Sequence, residues 1–221
     1  MNVFDIIGPI MIGPSSSHTA GAVRIGMMAR LLLGEEPKMA MISLHGSFAH
    51  THKGHGTDIA IIGGILGFRP DDERIRLSFL LAQEAGLIFA FNQEDIPDAH
   101  PNTAVISLTS SKGNQITMQG SSIGGGNIEI TKLNGKDVLI TGHNPAIIVE
   151  YKDIPGRIAK ICDVAAKNKI NISQMHISRD RRGGVAIVTI QVDGENIKDD
   201  IKSAIESVEH VHNVILIPIV G

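Results

Sequence analysis

Three serines, a histidine and a threonine stand in a row at Ser15-Ser16-Ser17-His18-Thr19, framed by Gly13-Pro14 on one side and Ala20-Gly21-Ala22 on the other. Hydroxyls bind small polar groups, and imidazole can donate, accept or transfer a proton near neutral pH. Behind them, Val23 to Leu33 has helical spacing, with Val23, Met27 and Leu31 on one side and Arg24 and Arg30 off it. The serines therefore stand where N-caps stand. A helix start carries free N–H groups and the positive end of the macrodipole, so this rim suits a carboxylate or phosphate. A plainer reading keeps the serines as caps and nothing more.

A second dense stretch is His50-Thr51-His52-Lys53-Gly54-His55-Gly56-Thr57-Asp58, and a third is His100-Pro101-Asn102-Thr103. In the second, Gly54 and Gly56 leave the His55 ring free of bulky neighbours in what reads as a turn. Asp58 is placed to orient that ring or to cap the next helix. In the third, proline fixes the chain beside His100, and Asn102 can hydrogen-bond a ligand. His45, His50 and His52 read as solvated or locally bonded. A metal site formed by His50, His52 and His55 on an extended loop would lack further ligands.

Several elements must position these groups. Lys38 to Leu44 reads as a strand and Ile59 to Phe68 as a buried helix capped by Thr57 or Asp58. Arg74 to Gly86 reads as a short helix and Leu87 to Phe91 as a strand. Ala104 to Thr109 and Gln115 to Gly120 make a hairpin. Gly124-Gly125-Gly126 suggests either a close approach of the backbone to something or a plain turn. Asn134-Gly135 marks a tight turn before a strand from Lys136 to Thr141. A domain boundary is expected at Gly142-His143-Asn144-Pro145, giving domains of residues 1–143 and 144–221. The second follows a β-α-β-β-α-β order: strands from Ala146, Asn171, Val185 and Val211, helices after Asp153-Ile154-Pro155-Gly156 and from Lys198 to Val208. Ile158, Ile161, Cys162 and Ala165 fall on the inner face of the first of these helices.

Composition limits the chemistry. With 43% hydrophobic residues in 221, a packed core is expected. A net charge of −3 without a basic stripe, and 3% aromatics without tryptophan, disfavour nucleic acid as a partner. No apolar run reaches a membrane span, and Met1 to Asp5 does not open a signal peptide, so a soluble cytoplasmic protein is expected. Cys162 is the single cysteine, which excludes an intrachain disulfide and a cysteine-ligated zinc or iron–sulfur site built by this chain alone.

The second domain resembles an ACT domain, the ferredoxin-like amino-acid-binding regulatory module, through its element order and its Asp153-Ile154-Pro155-Gly156 turn followed by Ile158. The resemblance implies effector binding by Asp153, Ile154, Pro155, Gly156 and Ile158, and a homodimer paired through these modules. The motifs at 12–19, 53–58 and 100–103 together resemble the β subunit of the two-subunit bacterial iron–sulfur L-serine dehydratases. That implies an α/β fold, related to the substrate-binding domain of some phosphoglycerate dehydrogenases. It also implies a partner α subunit that ligates a [4Fe–4S] cluster and L-serine as substrate, converted to pyruvate and ammonia. In such a reaction a Lewis-acid iron polarises the substrate while His55 and His100 manage the protons, in a division the sequence leaves open. Ser15, Ser16, Ser17, His18, Thr19, Lys53, Thr57, Asp58 and Asn102 would bind the substrate. A free-standing amino-acid sensor, or a substrate-binding module kept for assembly alone, would need no acid–base pair.

Overall fold

The computed structural model describes residues 10–13 and 15–220, with the backbone but not the side chains of residues 52, 53 and 55. The chain divides into two compact units, residues 1–135 and 136–221. The break falls just before the strand Lys136–Ile140, ahead of the expected boundary.

In the first unit a π-helical turn, Ser16–Gly21, runs into α1, Ala22–Leu33. There follow β1 (Pro37–Leu44), α2 (Gly46–His55), α3 (Thr57–Leu66), a 3-10 turn (Glu73–Leu77), α4 (Ser78–Glu84), β2 (Ile88–Gln93), β3 (Thr103–Ser110), β4 (Gln115–Gly124) and β5 (Asn127–Leu133). The strands lie in the order β2-β1-β3-β4-β5, with β1 and β2 parallel and every other neighbour antiparallel. Alternation decides which strand face is buried: Ala40, Ile42 and Leu44 are closed off, while Met39 and Met41 are 45% and 43% exposed.

α1 packs on β3 and β4 and also on α3, so it is buried around most of its circumference. Its buried residues include Val23, Ile25, Met28, Ala29 and Leu32, whereas Met27 and Leu31 are half-buried. The expected stripe through Val23, Met27 and Leu31 is thus displaced, because two layers and not one claim the helix. Glycine sets the α1–α3 separation. A Cβ on Gly26 would stand 2.2 Å from the Ile61 carbonyl oxygen, and one on Gly64 would stand 2.0 Å from that of Val23.

Three local expectations change. Residues 46–55 form helix α2 and not a turn or extended loop. Arg74 to Gly86 splits into the 3-10 turn and α4, with Ser78 Oγ donating to the Ile75 carbonyl at 2.7 Å. The glycines at 124–126 adopt φ values of 107°, 61° and 83° in the turn from β4 to β5, conformations that only glycine takes readily.

The second unit contains β6 (Lys136–Ile140), β7 (Ala146–Lys152), α5 (Arg157–Lys167), β8 (Ile172–Arg179), β9 (Val185–Val192), α6 (Asp200–Glu206) and β10 (Val211–Ile217). Its sheet order β10-β7-β9-β8, antiparallel throughout, is that of a ferredoxin-like βαββαβ module. Ile147, Val149, Val188, Ile190 and Val214 meet Ile161, Ile201 and Ile205 in its core. Ile161 and Ala165 are the buried residues of α5; Ile158 packs at the core margin, and Cys162 is half-buried.

Candidate functional site

The site is assembled on backbone. Pro101 presents its carbonyl to the start of α2, accepting from Ser47 N at 2.7 Å and Phe48 N at 3.4 Å. It thereby serves two of the N–H groups that a helix start leaves unpaired. His45 N donates to the Thr103 carbonyl at 3.0 Å and completes the seam. Gly46, at φ 54°, lies so close that a Cβ there would stand 2.6 Å from the Pro101 oxygen. The segment 100–103 is therefore docked on α2 by contacts that need glycine at 46.

Onto this seam comes the 15–19 segment. Ser15 caps the π-helical turn, its Oγ accepting from His18 N at 3.3 Å, while Thr19 N donates to the Ser15 carbonyl at 2.8 Å. The His18 ring lies between two hydroxyls, Nδ1 at 3.3 Å from Ser15 Oγ and Nε2 at 3.1 Å from Ser47 Oγ. Its edge meets Phe48, with ring centroids 5.4 Å apart. Ser15 is thus the serine that caps, whereas Ser16 and Ser17 sit half-buried within the turn. Thr19 is 3% exposed and packs against Gly13.

The far side of the turn rests on the end of β4. A Cβ on Gly21 would stand 2.1 Å from Ser122 Oγ. Ser122 N donates to the Asn102 carbonyl at 2.9 Å, and Thr103 Oγ1 lies 2.7 Å from Ser121 Oγ. His100 is exposed, and its Nδ1 accepts from Asn102 N at 3.1 Å. The neutral ring therefore carries its proton on Nε2.

Thr57 and Asp58 do not cap α3; Gly56 does, at φ 69°. Asp58 is 8% exposed, and its Oδ1 accepts from the adjacent Ile59 N at 2.8 Å. Thr57 Oγ1, Ser122 Oγ and Asn102 Oδ1 are closed off from solvent without a hydrogen-bond partner among the described residues. Buried polar atoms of this kind call for explanation. The expected roles of Lys53 and His55 rest on side chains outside the described residues; the backbone places both in the last turn of α2. His45, expected to be solvated or locally bonded, is held by a distant segment, its Nδ1 accepting from Ile96 N at 3.1 Å. Ser47, Phe48 and Ser122 escaped the sequence reading. Ser47 follows His45-Gly46 as an ordinary serine, and only the Pro101 contact reveals its place.

In the second unit, the carboxylate of Asp153 accepts from Arg179 Nη1 at 2.8 Å and from Gly183 N at 3.2 Å. Those bonds, Arg179's first, hold its pKa below the ordinary value. The carboxylate thus ties the β7–α5 turn to the β8–β9 hairpin. Gly156, at φ 85°, starts α5, and Pro155 beside it is exposed.

These features define an α/β unit with a polar site at the start of its helices, joined to an ACT module. Residues 2–78 match the family described as serine dehydratase beta chain, and residues 146–210 match the ACT domain. The chain is 49% identical to the probable L-serine dehydratase beta chain of Bacillus subtilis (strain 168), over 96% of each. It is 40% identical to the L-serine dehydratase beta chain of Peptoniphilus asaccharolyticus, over 94% of each. Over 77 residues it is 46% identical to L-serine dehydratase 2 of Escherichia coli (strain K12), covering 32% of this chain and 16% of that protein. Among solved structures, the ACT domain from GTP pyrophosphokinase of Chlorobium tepidum aligns at 18% identity and TM-score 0.27, covering 33% of this chain and 94% of the other. The chain belongs to the L-serine dehydratase beta-chain family.

No helix among the described residues is long and apolar enough to cross a membrane.

Proposed function

We propose that this chain is the β subunit of a cytoplasmic two-subunit L-serine dehydratase, which turns L-serine into pyruvate and ammonia when joined to an α subunit. The observation that carries this reading is the convergence of the 15–19 and 100–103 segments on the start of α2, through Ser47 and the Pro101 carbonyl. Segments far apart in sequence supply one polar surface, as a site for a small zwitterion requires.

The described residues of this chain do not fit a metal or cluster: no group of three or more metal-binding side chains gathers among them, and the single cysteine lies half-buried in the second unit. On this reading a [4Fe–4S] cluster held by the α subunit would act as a Lewis acid toward the substrate.

The tasks left to this chain are binding, orientation and proton handling. Ser15, Ser16, Ser17, His18, Thr19 and Lys53 form the rim that receives the polar end of serine, with His18 fixed between Ser15 and Ser47. Asn102, held by Ser122, orients the substrate. Loss of water from serine needs removal of the α-proton and support of the departing oxygen. His100, with Nδ1 engaged by Asn102 N, supplies an Nε2–H donor to a substrate oxygen and does not take the α-proton. Proton abstraction then falls to His55. In the ACT module, the turn at Asp153, Ile154, Pro155, Gly156 and Ile158 receives an effector by its backbone, since the Asp153 carboxylate is already spent on Arg179, and two modules pair to make a homodimer.

Anaerobic serine deamination by the full chain, alone and mixed with a cluster-loaded α subunit, tests the proposal. Turnover is expected in the mixture and not in the chain alone. An intact complex without turnover would overturn it.

A further inference from the structure

Arg24 carries a charge that no acidic side chain among the described residues neutralises. It lies half-buried near the start of α1, and burial lowers its pKa. Its Nη1 donates to the Gly126 carbonyl at 2.6 Å, while Nε is closed off from solvent without a partner among the described residues. Among the described residues Arg24 forms no ion pair; Arg30, on the same helix, pairs with Glu36 at 3.7 Å. A guanidinium taken partly out of water is costly unless an anion or a full set of acceptors meets it. One carbonyl is not a full set, and Nη2, which makes no hydrogen bond among the described residues, is left to donate to an anion.

Its position says which anion. Arg24 lies about one helical turn beyond Gly21, and Gly21 is the residue pressed against Ser122. Ser122 in turn bonds Asn102. The glycine turn 124–126 brings the Gly126 carbonyl to the guanidinium, so the side chain is held at the margin of the proposed site. Near the same π-helical turn, Ser122 Oγ and Asn102 Oδ1 are likewise closed off without a hydrogen-bond partner among the described residues.

We propose that Arg24 supplies the positive charge that holds the carboxylate of the amino-acid substrate, and thereby makes the site select amino acids over amino alcohols. The inference rests on the reading of this site as a serine site. A charge-assisted hydrogen bond from Nη2 to the carboxylate is the recognising contact, and the Gly126 carbonyl keeps the guanidinium from turning away.

The test uses the enzyme reconstituted from the full chain and its α subunit, with L-serine as substrate and ethanolamine, which lacks the carboxylate, as competitor. Arg24→Gln is expected to raise KM for serine about ten- to hundredfold with kcat changed only a few-fold, and to leave inhibition by ethanolamine unchanged. Arg24→Lys, which keeps the charge, is expected to recover part of the loss and covers the case in which the glutamine variant folds poorly. An unchanged KM overturns the inference, as does a parallel weakening of serine and ethanolamine, which marks Arg24 as an anchor of the glycine turn only. If the wild-type enzyme does not turn over serine, the serine-site reading fails and takes the inference with it. Wild-type turnover with an unaltered Arg24→Gln KM defeats the inference alone.

Discussion

Ser47 Oγ stands 3.1 Å from His18 Nε2, joining the start of α2 to the π-helical turn across 29 positions of sequence. With Ser15 Oγ at 3.3 Å from Nδ1, the imidazole is fixed at both nitrogens by neutral hydroxyls. Ser47→Ala removes one of those partners without opening a large void. The expected loss of stability is about 0.5–1.5 kcal/mol. Serine turnover should fall further than that loss explains, through a higher KM, because the ring no longer holds its orientation. Thermal unfolding and steady-state kinetics on the same preparation separate the two effects.

His100 offers a sharper distinction. A ring whose Nδ1 accepts a backbone N–H can donate from Nε2 while remaining neutral. Glutamine donates an N–H but cannot exchange protons at neutral pH. His100→Gln should therefore keep turnover within about tenfold of wild type, whereas His100→Ala should lose a factor on the order of 10²–10³. If glutamine fails as badly as alanine, His100 transfers a proton and the donor role is wrong. If alanine costs nothing, His100 does not face the substrate.

The α1–α3 crossing is predicted to be intolerant of a single methyl group. A Cβ at Gly64 would meet the Val23 carbonyl oxygen at 2.0 Å and Met27 N at 2.8 Å, both backbone atoms that cannot turn aside. Gly64→Ala should destabilise the first unit by about 3 kcal/mol. Gly34→Ala is the control: at φ 69° it has nothing within 4 Å, so only backbone strain, about 1 kcal/mol, is expected. Urea unfolding of the two variants gives the comparison.

Asp153 links pH to the stability of the second unit. Its folded pKa is depressed, first by the Arg179 hydrogen bond and then by Gly183 N. A depressed acid contributes stability that is full above its unfolded pKa, about 3.9, and lost as pH falls through the folded value. Asp153→Asn should therefore weaken the protein near neutrality, and the gap from wild type should close as the pH drops below about 4. A gap that stays constant with pH would show that the carboxylate's charge is not what holds the turn.

Much of this architecture is legible in the sequence because period and turn chemistry agree. Alternation marks β3 and the first half of β4, a nearly continuous apolar run marks β9, and glycines close α1 at Gly34 and open α5 at Gly156. The ACT order follows from those signals. α2 was not legible: Gly46, Gly54 and the histidines between them carry little helix propensity and no apolar stripe. Its start is stabilised instead by the Pro101 carbonyl, a contact between segments that no local pattern announces. The site was legible in part for the same reason. Clustered Ser, His and Asn mark where chemistry gathers, but Ser47 and Arg24 acquire meaning only from what stands opposite them, the His18 ring and the Gly126 carbonyl.

The most direct measurement is a titration of the full chain into a fixed amount of cluster-loaded α subunit, read anaerobically as pyruvate formed from L-serine. With wild-type chain, turnover should rise from near zero to a plateau once the two subunits are equimolar. With His100→Ala the same stoichiometry of binding should be reached at a plateau lower by on the order of 10². Full turnover by the α subunit alone, or an unchanged plateau with the variant, would contradict the claim that this chain supplies part of the active site.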